Sequence, residues 1–559
     1  MDDCSSRFQS TSSPIPQGML LPGHHNNEPP LPNQTCPVQT IMSLHAFTSL
    51  LPYALALLSV IFIRQISRRK ASSRYPPGPK PLPFVGNLFD MPRTDLGRSF
   101  AQLSRLYGDL VYLNVLGQRI LVIGSYEAAE EILDKRSATS SDRPDSIMHR
   151  LCGLDWFFPS MPYGQAWRRR RRAFHQSFDA QAITQYQPIR TSSIHRLVRS
   201  LLDSPKNLCE QINFSLAATI LQIVYGIELH DTHEETYTMI ERLVDILADI
   251  SIPGKYVVEA IPILQHLPSW VPGTTFRNYA AAVKSETESI MAKLGAMSAA
   301  GVNTVPGMNA SIASRILRAR EVMDGDESAD IEDLCKSTAA SAYLAGVETT
   351  NTMAQAFFVL MALYPRVQQK AQEELDAVIG PNRLLTFADL DSLPYLNALV
   401  KELLRWHSPV PLGLPHRTTS DEEYNGYFIP EGTVVFANIW SLSRDSKEYP
   451  DPEIFMPERF LSGEGNQGPL DPHQFAFGHG RRICPGRPFA DGTLALLCAS
   501  VLHVFDIKPP VDENGRPRKI EYKVTNNTAV SHPIMYDFVI TPRSPSAENL
   551  ILSVDVGSA

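Results

Sequence analysis

No two cysteines in this 559-residue chain stand in C-x-x-C spacing, and the seven, at positions 4, 36, 152, 209, 335, 484 and 498, are scattered. That pattern excludes a zinc ribbon and a dense disulfide framework. Surplus positive charge is missing too: 51 Lys and Arg against 59 Asp and Glu leave a formal net charge of −8, which argues against a general nucleic-acid binder. Basic residues are local instead. No internal repeat and no mid-chain linker interrupts the sequence, so one large domain with tails is expected rather than several. A hydrophobic share of 43% is enough for a sizeable core.

Residues 1–40 are rich in Pro, Ser, Asn and Gln without apolar periodicity, so 1–43 are expected to form a disordered extension. From Leu44 to Ile63 the chain is apolar and free of Asp, Glu, Lys and Arg, about the length that crosses a bilayer as a helix. Arg64, Arg68, Arg69, Lys70 and Arg74 follow, with no comparable basic cluster before the span. The positive-inside rule then places the rest of the chain in the cytosol, behind a membrane anchor. A cleaved signal peptide fits less well, because the basic flank lies on the wrong side. The sequon at Asn33 would be lumenal and glycosylated, whereas those at Asn213, Asn309 and Asn526 would stay bare. Pro76, Pro77, Pro79, Pro81 and Pro83 keep 76–83 from being helical, and 64–83 is expected to be a basic, proline-rich hinge. The main domain is expected over 84–543, with 544–559 as a flexible tail.

The densest chemical signal is Phe477-Gly-His-Gly-Arg-Arg-Ile-Cys-Pro-Gly486. One cysteine stands among glycines and arginines, ahead of a run from Phe489 that can be helical. Backbone N–H groups of a glycine-containing turn, the helix dipole and the arginines would stabilise a thiolate there, and such a sulfur suits iron. The alternative is a structural cysteine in a Gly/Arg turn. Five positions, Phe477, Gly480, Arg482, Cys484 and Gly486, meet the order F-x-x-G-x-R-x-C-x-G, which seldom happens by accident.

A helix is expected from Ile331 to Tyr364, closed by Pro365. Ser341, Ala345 and Thr349 recur every four residues, a stripe of small side chains that leaves room for something flat and bulky. Glu348 and Thr349 set a carboxylate beside a hydroxyl, a pair able to hold and relay water while bulk solvent is kept out. A helix kink at Gly346 with a threonine bonded back to a carbonyl is the blander reading. Glu402 and Arg405 share a face of the helix expected over Leu396 to Trp406, and Pro457-Glu458-Arg459-Phe460 follows. Trp167 and Arg171 stand at i, i+4 on another helix; Arg168, Arg169, Arg170 and Arg172 would lie on its outer face, as a solvated surface or a docking surface.

Val111 to Val122 reads as a hairpin around Gly117-Gln118, followed by a helix at Tyr126 to Leu133. Strands are expected at Tyr424–Ile429 and Thr433–Ala437. Ahead of them stands His416, with no second histidine or carboxylate cluster to make it a metal ligand. Val410, Leu412, Gly413 and Leu414 are expected to line a cavity. Ile507 to Ile540 reads as strands and turns without a motif.

The Cys484 loop resembles the haem-binding loop of cytochrome P450 enzymes at all five signature positions. Residues 345–350 resemble that family's A-G-x-[DE]-T-[TS], Glu402 with Arg405 its E-x-x-R, Pro457 to Phe460 its P-x-R-F, and Trp167 with Arg171 its W-x-x-x-R. Ile252 to Gly273 is similar to fungal P450s of the O-methylsterigmatocystin oxidoreductase type. The resemblance covers roughly residues 75–543. It implies a mainly α fold, a helical prism with a small β lobe, behind an N-terminal transmembrane helix. It implies haem b with Cys484 as axial thiolate, whose electron density favours O–O cleavage. Phe477, Arg482 and Gly486 would belong to the haem-binding loop, Trp167, Arg171 and His416 would serve the propionates, and Glu348 and Thr349 would deliver protons. Glu402, Arg405 and Arg459 would brace the haem side without catalytic part. The implied reaction uses O2 and NADPH electrons, passed by NADPH-cytochrome P450 reductase with cytochrome b5 as a further partner, to hydroxylate or epoxidise a lipophilic small molecule in secondary metabolism or xenobiotic oxidation. The alternatives are a reductase-independent haem-thiolate isomerase or dehydratase and a non-catalytic membrane haem-binding protein. The Glu348–Thr349 pair speaks against both.

Overall fold

A computed structural model describes residues 74–271, 273–302, 311–318, 326–461, 468–525 and 529–554. The expected extension with Asn33, the anchor over 44–63, residues 64–73 of the hinge, Asn309 and Asn526 lie outside the described residues. Among the described residues no helix is long and apolar enough to cross a membrane. The chain divides into two compact units. One holds Tyr75 and Asn425–Phe428, with the rings of Tyr75 and Phe428 6.0 Å apart. The other, Pro76–Tyr424 and Ile429 onward, carries every motif.

This second unit is mainly helical, built on α1 (Gln165–Phe178), α2 (Gln187–Asp203), α3 (Leu208–Tyr225), α4 (Asp326–Leu363), α5 (Pro394–Trp406) and α6 (Arg487–Val504). The 38-residue α4 is apolar around much of its girth, which a helix tolerates only when neighbours cover it on several sides. It packs against α1, α3 and α6, and Tyr343, Val347, Ala354, Phe357 and Phe358 are fully buried. It starts at Asp326 rather than Ile331, because the acids before the apolar pattern suit a helix N-terminus. Pro394 opens α5, where its missing N–H costs nothing.

A four-stranded sheet forms the smaller lobe, in the order β1 (Leu110–Val115), β2 (Gln118–Ile123), β4 (Val434–Ala437), β3 (His416–Arg417). The hairpin runs Leu110↔Ile123 to Val115↔Gln118, with Leu116 (φ 51°) and Gly117 (φ 94°) as its two turn residues, one position earlier than read from sequence. β2 and β4 pair in parallel, and β4 and β3 antiparallel with His416 opposite Val435. Leu412 packs with Phe100, Val111, Leu113 and Val122 in this lobe's own core, so it is not the cavity wall expected of it. Apolar character alone does not distinguish the two.

At the C-terminal end β5 (Phe505–Lys508) pairs with β6 (Val539–Pro542). Residues 545–552 are not a frayed tail. They form α7, capped by Ser544, whose side chain accepts from the Ala547 N–H, with Pro545 in its first turn and Ile551 fully buried. α7 docks on α2 and α6, which supplies the burial that holds so short a helix.

Candidate active site

The Cys484 loop is shaped by backbone geometry. Cys484 N–H donates to the Phe477 carbonyl at 2.8 Å, closing a turn through Gly478 (φ 80°) and Gly480 (φ 56°). A Cβ on Gly480 would fall 2.1 Å from the Leu133 carbonyl oxygen, so only glycine fits there. The Gly480 N–H bonds to Asp134, and His479 Nδ1 lies 3.3 Å from the same carboxylate. Asp134 belongs to a π-helical turn, Glu130–Lys135, where α-helix was expected; such turns often accompany functional sites. On the other flank the Phe477 ring stacks on His473, which is clamped between Asp471 (2.7 Å) and Asp491 (2.9 Å). Burial works against charge on His473, but the two carboxylates prevail and raise its pKa to about 9.

Cys484 keeps accessible surface although protein surrounds it. Burial pushes its thiol up; against that act the N–H of Gly486, the charges of Arg171 and Arg487 and the N–H of Arg487, at the start of α6. These are the groups a thiolate requires.

Beside the loop lies a knot of buried and half-buried cations. Arg482 Nε donates to the Ser141 carbonyl (2.7 Å) and Nη2 to that of Met161 (2.9 Å), while its guanidinium lies 4.2 Å over the buried Trp167 ring. Its Nη1 is buried without a partner. Arg171 Nη2 donates to the Ile483 carbonyl at 2.5 Å, next to Cys484. Arg143 donates to the carbonyls of Pro159 (3.1 Å), Leu414 (2.8 Å) and Pro415 (2.7 Å). His416 Nδ1 is 2.8 Å from the Ser140 carbonyl; a carbonyl only accepts, so Nδ1 carries the proton and Nε2 is left with a lone pair. Burial and then the charge of Arg482 lower Arg143 to about 9, and burial lowers Arg482 to about 10 despite Asp142. His416 falls well below its usual value through burial and then Arg143. Asp142, the nearby acid, is itself engaged by Arg417 and by the Tyr163 N–H.

On α4, Ala345 is exposed and Thr349 half-buried, although the helix runs through the core; Ser341 is fully buried, so the open stretch of the stripe is shorter than expected. Thr349 Oγ1 donates back to the Ala345 carbonyl at 2.8 Å. A Cβ on Gly346 would meet Ile220 Cδ1 of α3 at 2.9 Å, so glycine lets the two helices pack closely there. Glu348 lies 2.7 Å from His532 Nε2.

Glu402 and Arg405 form a fully buried bidentate pair (2.7 and 2.8 Å), and Arg459 Nε joins at 3.1 Å. The Ser443 and Pro452 carbonyls take Arg405 Nη1, and the Met456 N–H reaches Glu402. Of the arginines expected outside α1, Arg168 and Arg172 are exposed. Arg169 is exposed too and pairs with Asp330 at 2.7 Å, whereas Arg170 is half-buried against Asp333 and Ser337, all on α4, because those acids face α1. A surface groove of about 830 Å³ beside Gln187, His195 and Arg383 includes none of the motif residues; the site is defined by its chemistry.

Three residues escaped the sequence reading: Asp134, Arg143 and His532. None stands at fixed spacing to a motif.

The fold and site define a class, and comparison supplies its name. The cytochrome P450 sequence profile matches residues 76–531, and the chain belongs to the cytochrome P450 family. It is similar to Cytochrome P450 monooxygenase COX2 of Coprinopsis cinerea, at 37% identity over 496 residues, 87% of this chain and 92% of that protein. Cytochrome P450 monooxygenase ple1 of Rhodocybe pseudopiperita is 36% identical over 490 residues, 87% and 92% of the two chains. Tryptamine 4-monooxygenase of Psilocybe cyanescens is 37% identical over 495 residues, 86% and 95% of the two. Membership implies haem iron with a thiolate ligand, O2 and reductase-supplied electrons. The chain's own residues fit that group. Buried cations outnumber the nearby acid, one guanidinium nitrogen lacks a partner, and a cysteine with converging amides keeps accessible surface, as a haem with carboxylates and an axial sulfur requires.

Proposed function

We propose that the protein is a membrane-anchored haem-thiolate monooxygenase that inserts one oxygen atom of O2 into a lipophilic small molecule, with Cys484 as the axial ligand. The observation that carries this reading is the unbalanced cluster of buried Arg143 and Arg482 with half-buried Arg171 beside Cys484. When bound, the haem supplies O2 reduction and C–H or alkene oxidation. The protein supplies the rest. Arg482 Nη1, Arg171, Arg143, Trp167 and His416 Nε2 orient the propionates by charge and hydrogen bonding. The Gly486 and Arg487 amides hold the sulfur as thiolate, and Phe477, propped by His473, closes the loop. Glu348 and Thr349 hold and pass protons at their carboxylate and hydroxyl oxygens, with the apolar core excluding bulk water. Glu402, Arg405 and Arg459 brace the fold.

The electron donor is NADPH-cytochrome P450 reductase, with cytochrome b5 as a further partner, and the exposed Arg168 and Arg172 suit an acidic surface. Residues 44–63 anchor the chain in the endoplasmic reticulum after an extension glycosylated at Asn33; 64–83 form the hinge, and the catalytic domain of 84–543 faces the cytosol. Exposed Phe84, Phe89, Ile263 and Trp270, the last 81% accessible, support contact with a bilayer. A relative named for tryptamine supports a small organic substrate of secondary metabolism. The test is incubation of reconstituted membranes with reductase, NADPH, isotopically labelled O2 and a panel of lipophilic compounds. Products carrying one labelled oxygen are expected. Products formed equally without NADPH would replace this reading with an isomerase or dehydratase.

A further inference from the structure

The segment between β5 and β6 carries no motif, yet it delivers an imidazole to the acid of α4. Its backbone is fixed where it does so. Val524 and Pro533 form a bridge, the Thr525 N–H donates to the His532 carbonyl at 2.7 Å, and the Ser531 N–H donates to the Pro409 carbonyl at 2.7 Å. His532 Nε2 lies 2.7 Å from Glu348 Oε1, with the two side chains only 9% and 12% exposed. The contact is close but bent, so proximity rather than hydrogen-bond direction defines it.

Two other titratable groups nearby contact partners of their own. His407 contacts the Tyr522 hydroxyl through Nδ1 at 2.8 Å; burial, then the charges of His532 and Arg444, lower it to about 3, so it is neutral. Burial, then Glu241 and Glu348, keep the Tyr343 phenol neutral, and its hydroxyl donates to Glu241 at 2.9 Å. His532 is therefore the ring placed to answer the carboxylate of Glu348. A buried carboxylate needs such an answer. Thr349 meanwhile is bonded back to Ala345, so each member of the acid–alcohol pair is occupied elsewhere.

We propose that His532 is a positioning residue for Glu348, holding its carboxylate on the side of the C-terminal segment until it turns toward Thr349 to pass a proton. The proposal rests on the monooxygenase reading. It is tested with carbon monoxide as probe on the reduced, membrane-bound protein, for wild type, H532Q, E348Q and the double variant. H532Q is expected to keep the full thiolate-type absorption band and to shift the infrared C–O stretch, and the double variant to match E348Q alone, since residues acting as one unit do not add. With reductase and NADPH, peroxide released per NADPH rises about twofold or more in H532Q and no further in the double variant. A wild-type stretch in H532Q, or shifts that sum, would overturn the proposal. If H532Q loses the band, H532N repeats the comparison; loss there too, with E348Q intact, would assign His532 to folding and overturn it. A wild type without the thiolate band would instead remove the monooxygenase reading, so the two failures are distinguishable.

Discussion

Among the described residues, the arginine clusters around Glu402 and around Cys484 differ in one respect. Around Glu402, Arg405 spreads its donors over a carboxylate and three backbone carbonyls, and Arg459 completes the set. That cluster is closed. Around Cys484, Arg143, Arg171 and Arg482 lean on carbonyls, repel one another and leave Arg482 Nη1 without a partner. Closed charge is structural, because each ion has what it needs within the chain; open charge awaits something from outside.

The sharpest way to break the comparison is to open the closed cluster. Glu402→Gln leaves two buried guanidinium groups facing a neutral amide, and about 3–5 kcal/mol of stability should go. Its half-life at a fixed inactivating temperature, against wild type, measures this; an unchanged half-life would refute the closed-cluster reading. The same operation on the open cluster should act on the ligand instead. Arg482→Met relieves buried like charge, so the haem-free protein should lose far less than Glu402→Gln does. Haem should nonetheless pass to an acceptor protein about tenfold faster or more, since a charge-assisted hydrogen bond is worth about 1.5–3 kcal/mol. If haem retention were unaffected, the cations would not be holding propionates.

Gly480→Ala sets a methyl against the Leu133 carbonyl at positive φ, and a loss of about 1–3 kcal/mol together with a weaker thiolate band is expected. The smallest effect concerns His473. Its folded pKa of about 9 lies above the ordinary 6.5, so the stability it contributes is complete below pH 6.5 and lost as pH rises through 9. The clamp is partly exposed, which keeps it under about 1 kcal/mol. The stability gap between wild type and His473→Gln should therefore close between pH 6.5 and about 9; a gap constant over that range would contradict the charged clamp.

Much of the site was legible because its residues are near in sequence or recur at fixed spacing. Five positions of one loop, a single turn of α4, and Glu402 with Arg405 on one face of α5 are local patterns. Arg143, Asp134 and His532 were not legible. Arg143 meets the Leu414 and Pro415 carbonyls, Asp134 meets Gly480, and His532 meets Glu348 only because the topology returns distant segments to one place. The expectation for Arg170 failed for a related reason: one helix's pattern shows which residues share a face, not that Asp333 and Ser337 of another helix wait opposite. α7 is different. Ser544, Pro545, Ala547 and Ile551 spell a capped amphipathic turn, and its docking surface was the missing part.

The most direct measurement is the carbon monoxide difference spectrum of the dithionite-reduced, membrane-bound protein beside its Cys484→Ser variant. A Soret band at the position of thiolate-ligated haem, present in wild type and lost in the variant, is the expected result. Haem bound without that band in wild type, or the band surviving in Cys484→Ser, would show that Cys484 is not the ligand.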